Sequence, residues 1–341
     1  MKKKVKIKFL GFWDGFDESD NIFINILKER YDVALSDSPD YLFFSPLGEF
    51  YRYAHYDCIR IMYTGEPYSA DWNSTDYAID FDEYTFDDRH MRYPLYLCQN
   101  RKKGSGISRK KLTSEEADQI CSEKKAFCNF IYGHQTVDGN REAIFEEISK
   151  YKRVDSIGQY KNNMPNGETA VFSGEKANKQ SYLKAYKFTI AAESMRQNGF
   201  TTEKIKDALD AYSVPVYYGN LRVTSEFNPK AFINLNDFET FEEGAQYLKK
   251  IDADDSIYKR MLMEEEYVDP AYPEKKYAEL KRFLYHIFDQ DKERAYRRNR
   301  YYIGGRYNAM ERYMSVHFHN PILKFFFLTY NFFSERGGMR K

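Results

Sequence analysis

Lys204 occupies a position in the predicted secondary structure that is unfavourable for a cation. Thr201 or Thr202 begins a helix, and Lys204 falls in its first turn. The start of a helix carries roughly half a positive charge, which favours an acidic side chain there. A lysine suits this position when a bound anion supplies the negative charge, as phosphate does at many helix starts. The residue therefore indicates a ligand that carries phosphate.

Arg141 repeats this arrangement on a second predicted helix. A predicted strand and a polar loop lead to Asn140, a suitable N-cap, which places Arg141 at another positive helix end. Taken alone, Arg141 is an exposed arginine that pairs weakly with Glu142 or Glu146. Taken with Lys204, it lies where ligands of open α/β sheets gather, at the carboxyl ends of parallel strands. The two cations predict a clamp for a diphosphate.

Two glutamates are candidates for the chemistry beside that clamp. Glu66 follows a short apolar strand and precedes Pro67, which holds it in an extended conformation. It is a candidate general base, although an ordinary loop carboxylate is the more frequent occupant of such a position. Glu203 precedes Lys204 and is either a favourable acid at a helix start or an acceptor of hydrogen bonds from sugar hydroxyls. No metal-ligand spacing, phosphate-binding loop or nucleophile elbow occurs, so no metal site is assigned.

These side chains need an alternating α/β framework to bring them together. Residues 187–219 are typical of strand, loop, helix and strand, the unit of a parallel sheet. Further strands are predicted at 5–13, 32–35, 41–44, 60–63, 77–79, 126–132 and 232–235, and helices at 21–30, 114–123, 141–151, 240–250, 256–264 and from 272 to about 300. Polar, glycine-containing stretches predict a linker at 99–111 and a loop at 161–179. Two α/β domains with a cleft between them are the simplest architecture.

The distribution of charge along the chain indicates which kinds of partner the protein can bind. Lys+Arg and Asp+Glu both total 52, so the net charge does not indicate a nucleic-acid partner. Residues 291–341 carry 11 Lys/Arg against 4 Asp/Glu, together with many Tyr and Phe. This tail suits an anionic membrane surface, with RNA binding and a helical cap on the second domain as alternatives. No segment has the roughly 20 apolar residues that span a bilayer. Four widely spaced cysteines predict reduced thiols in a cytosol.

Several segments in this order resemble the α-1,3/4-fucosyltransferases of glycosyltransferase family ten. The donor-side segments are Tyr-Lys-Phe-x-x-x-x-Glu, Gly-Phe-x-Thr-Glu-Lys-Ile-x-Asp-Ala, Val-Pro-Val-Tyr-Tyr-Gly and Phe-Asn-Pro-Lys-Ala-Phe-Ile-Asn-Leu-Asn-Asp-Phe. Upstream, Tyr-Thr-Gly-Glu, Asp-Tyr-Ala-Ile-Asp-Phe-Asp and Arg-Tyr-Pro-Leu-Tyr are similar to the acceptor half of bacterial members. The resemblance implies the GT-B fold, with two Rossmann-like domains at 1–112 and 113–268 facing a cleft and a helical, basic, aromatic C-terminal region at 269–341.

The resemblance also implies which residues bind the donor, GDP-fucose. Arg141 and Lys204 fall on ligands of the diphosphate, and Glu203 on a contact with the donor sugar or the ribose. Ser194 stands where relatives usually have asparagine, and Phe200 where many have tyrosine. Each of these two departures removes a hydrogen bond to the nucleotide, while the charged clamp is intact.

The implied reaction is an inverting transfer of L-fucose to a hydroxyl of a GlcNAc-containing glycan, with an α-1,3 linkage and a Lewis-type product. Glu66 falls on the family's proposed general base. The acceptor is an oligosaccharide of the N-acetyllactosamine type or a glycolipid; no metal is required, and stimulation by Mn²⁺ or Mg²⁺ is left open. The expected location is the cytoplasm, with peripheral contact of the tail with the inner membrane. The alternatives are a GT-B transferase for another nucleotide sugar and a non-catalytic nucleotide- or glycan-binding protein.

Overall fold

Two parallel β-sheets form the framework of the protein. The computed structural model describes residues 2–46, 51–99, 108–165, 176–326 and 329 of the 341-residue chain. The first sheet contains β1 (Lys4–Leu10), β2 (Asp32–Leu35), β3 (Tyr41–Phe44), β4 (Ile59–Tyr63), β5 (Tyr77–Asp80) and β6 (His90–Arg92), in the order β2-β1-β3-β4-β5-β6. The second contains β7 (Ala126–Phe130), β8 (Val154–Ser156), β9 (Tyr186–Ala192), β10 (Val214–Tyr218) and β11 (Ile233–Asn234), in the order β11-β10-β9-β7-β8.

The strand sequences fit the layer that each strand occupies. The strand pairs of both sheets are all parallel. Because helices cover both faces of parallel sheets, the central strands are mostly apolar, with Arg60 of β4 and Asp80 of β5 as buried charged exceptions. Strands β3, β4 and β5 are buried at every residue. Strand β1 alternates instead, since its lysines are exposed or half-buried while Val5, Ile7 and Phe9 are buried. The predicted strand at 5–13 ends earlier, because Gly11 takes a positive φ of 73°.

Eleven α-helices lie within the described part of the chain. They are α1 (Ile22–Arg30), α2 (Leu95–Gln99), α3 (Ser114–Glu123), α4 (Asn140–Ser149), α5 (Lys176–Lys184), α6 (Glu203–Asp210), α7 (Phe241–Ala253), α8 (Asp255–Met263), α9 (Tyr272–Asp289), α10 (Lys292–Ala295) and α11 (Ile303–His319). Helix α3 begins with a reciprocal capping box between Thr113 and Glu116. Within the described residues no helix combines the length and the apolar character needed to cross a bilayer.

The C-terminal helices return to the first sheet. Helix α9 packs against α1, and Phe288 near its end stacks on Tyr41 of β3 with ring centroids 4.0 Å apart. Helix α11 is anchored at Glu311, which is 1% exposed and accepts a hydrogen bond of 2.8 Å from the Tyr53 hydroxyl. The chain therefore crosses from the first α/β unit to the second and back again.

The predicted fold class is confirmed, and the differences lie in short or polar elements. Strands β6 and β8 have three residues each and were not predicted, because so short a run has no clear periodicity. The predicted loop at 161–179 is wrong at its end, where α5 begins at Lys176. Most of the predicted linker at 99–111 and part of that loop lie outside the described residues.

Candidate active site

Glu193 is a buried carboxylate that binds several groups at the carboxyl end of the second sheet. It directly follows β9 and is 3% exposed. Its carboxylate accepts hydrogen bonds of 2.7 Å from both the backbone N–H and the hydroxyl of Thr202, the N-cap of α6. The Lys204 ammonium lies 2.9 Å from Glu193 Oε2 and 2.7 Å from the Thr202 hydroxyl. Gly219 permits this arrangement, because a Cβ there would lie 2.6 Å from Glu193 Cγ.

Lys204 is thus balanced by an anion from the chain itself. Burial lowers the pKa of Lys204, but the charges of Glu193 and Glu203 outweigh it and leave the pKa above its ordinary value. Burial likewise opposes ionisation of Glu203, yet Lys204 and Lys179 together lower the pKa of that carboxyl. The inference that the position of Lys204 by itself demands a bound anion is therefore corrected. Its physical basis, a cation that needs a negative partner, is satisfied by a side chain eleven residues upstream.

Arg141, unlike Lys204, has no carboxylate partner among the described residues. The helix α4 starts one residue earlier than predicted, with Gly139 as N-cap at a φ of 68°, and Asn140 is its first residue. Arg141 is 4% exposed, and its Nε donates a 3.2 Å hydrogen bond to the carbonyl of Ala192. Among the described residues, no carboxylate lies within ion-pair distance of it.

The alternative interpretation of Arg141, as an exposed arginine that pairs with Glu142 or Glu146, is wrong. Glu142 and Glu146 both pair with Lys161, at 2.5 Å and 2.8 Å. A buried charge without a counter-charge is unfavourable by several kcal/mol. A bound anion at this point would relieve that cost, which makes Arg141 the stronger of the two candidates for contact with a ligand.

Tyr132 links the two cations and was not singled out from the sequence. Its ring lies under the Arg141 guanidinium, 4.2 Å from the ring centroid. Its hydroxyl accepts a 2.7 Å hydrogen bond from the Ala192 N–H and donates to the carbonyl of Ile190 at 3.0 Å. Burial raises the pKa of Tyr132, while the charges of Arg141 and Lys204 act in the opposite direction. Both cations therefore lie around one buried tyrosine, at the carboxyl ends of β7 and β9.

Lys179 is a third cation of this region. It projects from α5 and lies 2.7 Å from Asp207 of α6. Burial lowers the pKa of Lys179, but the charges of Asp207 and Glu203 raise it overall. Its position was missed because the preceding glycine- and asparagine-rich stretch predicts a loop. The start of α6 thus alternates anionic and cationic groups, which holds Glu203 in its ionised state.

Glu66 follows the first sheet rather than the second. It is exposed, and its N–H donates a 3.0 Å hydrogen bond to the Thr64 hydroxyl directly after β4. The neighbouring Tyr63 is fully buried, and burial raises its pKa, with a further contribution from the charge of Glu203. Helix α2 also packs against α6. The end of β4, where Glu66 begins its loop, therefore adjoins the start of the Lys204 helix across the two units.

Ser194 and Phe200 flank the loop after β9. Ser194 is half-buried beside Glu193. Phe200 is 1% exposed and packs edge to face on Phe81 of the first unit, with ring centroids 5.3 Å apart. Gly199 allows this approach, since a Cβ there would lie 2.3 Å from the Phe81 carbonyl oxygen. Phe200 is thus a packing residue between the units, and nucleotide contacts of Ser194 and Phe200 stay predictions.

Arg92 ties the two units together beside the cleft. Its guanidinium pairs with Glu226 of the second unit and donates to the carbonyls of Phe81, at 3.0 Å, and Gly199, at 2.9 Å. The Tyr96 hydroxyl donates to the other oxygen of Glu226 at 2.9 Å. This largely buried arginine therefore joins β6 of the first unit to Glu226 and to the loop after β9 in the second unit. Across the described ranges, no three His, Cys, Asp or Glu side chains group as a metal site.

Two parallel α/β units with a cationic clamp on one and a displayed carboxylate on the other define a GT-B type of transferase fold. A family profile described as "Alpha-(1,3)-fucosyltransferase FucT N-terminal domain" matches residues 7–99. Another, described as "Glycosyltransferase family 10 (fucosyltransferase) C-term", matches residues 121–284. Because these matches together cover more than half of the chain, it belongs to glycosyltransferase family 10, the fucosyltransferases.

Individual proteins agree with this assignment. The chain is 29% identical to the alpha-(1,3)-fucosyltransferase FucT of Helicobacter pylori, over 76% of this chain and 60% of that protein. It is 31% identical to 3-galactosyl-N-acetylglucosaminide 4-alpha-L-fucosyltransferase FUT3 of Bos taurus, over 40% of this chain and 36% of that protein. The chain thus spans 60% of the length of the first of these relatives and 36% of the second, less than two thirds in both cases.

Solved structures show the same fold. A crystal structure of an alpha1,3-fucosyltransferase superposes with a TM-score of 0.67 at 26% identity, covering 89% of this chain and 94% of that one. A crystal structure of alpha1,3-fucosyltransferase with GDP-fucose gives a TM-score of 0.63 at 25% identity, covering 83% and 91%.

Proposed function

We propose that this protein is an inverting fucosyltransferase that moves L-fucose from GDP-fucose to a hydroxyl of a GlcNAc-containing glycan, with α-1,3 linkage. The observation that carries the proposal is the buried guanidinium of Arg141, which has no carboxylate partner in the described part of the chain and lies with Lys204 around Tyr132. Family membership and a structural relative solved with GDP-fucose support the choice of donor.

In this mechanism the first unit acts on the acceptor and the second unit acts on the diphosphate of the donor. Glu66 accepts the proton of the acceptor hydroxyl while that oxygen forms a bond to the anomeric carbon of fucose. The bond between the anomeric carbon and the diphosphate oxygen breaks on the opposite face, and GDP leaves with its electron pair. Single displacement converts a β-linked donor into an α-linked product.

Charge on the departing diphosphate is stabilised by the second unit. Arg141 and Lys204 supply positive charge, and the N-termini of α4 and α6 supply backbone N–H groups. Glu193 holds the Lys204 ammonium in place before the donor arrives, so little reorganisation accompanies the reaction. This chemistry runs without a required metal, and addition of Mn²⁺ or Mg²⁺ to the assay tests for stimulation.

The first experiment is an assay of donor hydrolysis and transfer with GDP-fucose, compared with other nucleotide sugars. N-acetyllactosamine is the acceptor for the transfer arm. Turnover of GDP-fucose above the others supports the proposal. A preference for a different nucleotide sugar shows that this sugar, and not GDP-fucose, is the donor. Binding of GDP-fucose without turnover of any donor shows that the protein is a non-catalytic binding protein.

Glu66→Ala tests the base. Loss of a positioned general base lowers turnover by about 10²–10⁴-fold, while the affinity for GDP-fucose is unchanged because Glu66 lies on the other unit. Glu115→Ala, at an exposed glutamate of α3, is the matched control and retains full turnover. Near-normal turnover of the Glu66 variant contradicts the assignment.

The tail forms a second part of the proposal, in which it docks on an anionic membrane surface at the cytoplasmic leaflet. Exposed aromatic and aliphatic side chains along α11, among them Tyr302, Ile303, Met310 and Tyr313, support it, as does the basic composition of the tail. Co-sedimentation with anionic vesicles, for the full chain and a form truncated after α10, tests it. Equal pelleting of both proteins contradicts it.

A further inference from the structure

Tyr84 presents an exposed aromatic ring on a buried support. The ring is 40% exposed and stacks on the His90 imidazole, with centroids 4.4 Å apart and planes inclined by 20°. His90 Nε2 lies 2.7 Å from Asp80 Oδ1, and the two side chains are 2% and 0% exposed. Trp72 contacts both rings from the side. One face of Tyr84 is therefore fixed by the interior, and the other is free to meet a ligand.

Tyr84 lines an open cavity between the two units. The cavity has a volume of about 610 Å³. Asp82 and Tyr84 line it from the first unit, and Arg196, in the loop after β9, lines it from the second. Arg196 in turn lies over the ring of Tyr218 at the end of β10, 5.7 Å from its centroid. The cavity thus reaches the same sheet edge as the donor clamp.

Asp82, on the wall of the cavity, connects it to the loop that displays Glu66. The Ser69 side chain lies within hydrogen-bonding reach of the Asp82 carboxyl, three residues after Glu66. The parent strands β4 and β5 are neighbours, and the Thr64 N–H donates to the Ile79 carbonyl at 3.3 Å. Asp82 is 9% exposed, and its Oδ2 has no hydrogen-bond partner.

The chemistry of this wall fits a neutral sugar better than a diphosphate. The first unit contributes Asp82, Glu83 and Tyr84 to the lining, and none of these three is a cation. The second unit contributes Arg196 and Arg222, of which Arg222 is paired with Glu83 at 2.7 Å. Carboxylates repel phosphate and accept hydrogen bonds from hydroxyls. An aromatic face next to such an acceptor matches a pyranose, which has an apolar C–H face and a rim of hydroxyls.

We infer that Tyr84 and Asp82 form the acceptor subsite of the proposed fucosyltransferase, in which a sugar ring of the acceptor stacks on Tyr84 and donates a hydroxyl hydrogen bond to Asp82. The inference rests on the proposed function, since it names the acceptor side of the same cleft. His90 and Asp80 are positioning residues that hold the Tyr84 ring.

Tyr84→Ala is the direct test, with steady-state kinetics for N-acetyllactosamine and GDP-fucose. The expected result is an acceptor KM raised by about tenfold or more, with the donor KM and the rate of GDP-fucose hydrolysis within about twofold of the unsubstituted protein. Tyr84→Phe retains the ring and keeps the acceptor KM. Tyr247→Ala removes a tyrosine of similar exposure, 44%, on α7 of the second unit, and changes neither KM.

Calorimetric titration of N-acetyllactosamine into the GDP-bound protein separates this inference from the proposed function. If the protein shows no turnover but binds the disaccharide with an affinity that Tyr84→Ala lowers, the subsite stands and the proposed function fails. If Tyr84→Ala leaves both the acceptor KM and the disaccharide affinity within about twofold, the subsite is overturned, whether or not the protein transfers fucose.

His90→Ala distinguishes positioning from direct contact. Alone it raises the acceptor KM, because the Tyr84 ring loses its support, and kcat is retained. In a Tyr84→Ala background it has no further effect, since the two residues act through one ring. A further rise of about tenfold in the double variant overturns the positioning role and assigns His90 its own contact with the sugar.

Discussion

The Lys204 ammonium lies 2.9 Å from the Glu193 carboxylate, whereas the buried Arg141 guanidinium on α4 has no such partner among the described residues. In the proposed mechanism the two cations are therefore not equivalent before the donor binds. Lys204 is held and neutralised from within the chain. Arg141 keeps an unbalanced charge, which favours entry of an anion.

Glu193→Gln is expected to destabilise the protein and to increase its dependence on the nucleotide. Lys204 keeps a neutral hydrogen-bond acceptor but loses its counter-charge, which costs about 2–3 kcal/mol, less than for a fully buried pair because Lys204 retains partial exposure. GDP supplies the missing negative charge, so its addition raises the Tm of the variant more than that of the unsubstituted protein. Thermal unfolding with and without GDP measures both effects; an equal or smaller shift in the variant contradicts the role of Glu193.

Arg141→Ala is expected to weaken the donor and to slow transfer. Removing one preorganised group that stabilises transition-state charge costs about 3–4 kcal/mol of barrier. The measurements are kcat for transfer and the affinity for GDP. Arg153→Ala, at an exposed arginine of the same unit that pairs with Asp155, serves as the matched control and leaves both unchanged. Equal effects of the two substitutions would mean that Arg141 acts through general charge alone.

Asp82→Asn is expected to change how stability depends on pH. Burial, together with the charge of Asp80, raises the pKa of Asp82 above its ordinary value of 3.8, although the Ser69 side chain opposes this. The folded state therefore binds a proton more tightly than the unfolded chain, and stability falls as pH rises from 3.8 through the folded pKa.

The asparagine variant lacks that decline. Its Tm at about pH 7 equals or exceeds that of the unsubstituted protein, and the difference shrinks as the pH falls through the folded pKa of Asp82 toward 3.8. Thermal unfolding between about pH 3 and pH 7 measures it. A variant that is less stable at neutral pH, with the difference vanishing in acid, shows instead that ionised Asp82 is favourable in the fold. We therefore expect the Asp82→Asn variant to be more stable and to have a raised acceptor KM, because a residue that serves binding is often unfavourable for stability.

Glu311→Ala is expected to destabilise the attachment of α11. Glu311 is 1% exposed and is bound by the hydroxyls of Tyr53 and Ser74, with the buried Arg60 guanidinium 3.9 Å away. Removing one partner of a buried charge pair costs about 3–5 kcal/mol. Urea unfolding gives the change in free energy. Glu293→Ala, at an exposed glutamate of α10, is the control, with an effect of about 0.5 kcal/mol or less.

Much of the fold follows from local sequence patterns. Tyr41–Phe44 is apolar at every position and Ile59–Tyr63 at every position except Arg60, a pattern typical of strands covered on both faces of a parallel sheet. Thr113 and Glu116 specify the start of α3 by their spacing. The return of α9 to the first sheet has no local signal, since Phe288 meets Tyr41 across most of the chain.

The candidate site, like the fold, is predicted in part by local sequence and is completed only by the tertiary structure. The sequence by itself determined that Arg141 and Lys204 begin helices after parallel strands and that Glu66 is displayed after another, because helix caps, strand ends and proline act on adjacent residues. Only the tertiary structure decided that Glu193 neutralises Lys204 while Arg141 is buried on Tyr132, and that His90 supports Tyr84. These pairings depend on which strands become neighbours and how deeply each charge is buried, and those properties belong to the packed chain as a whole.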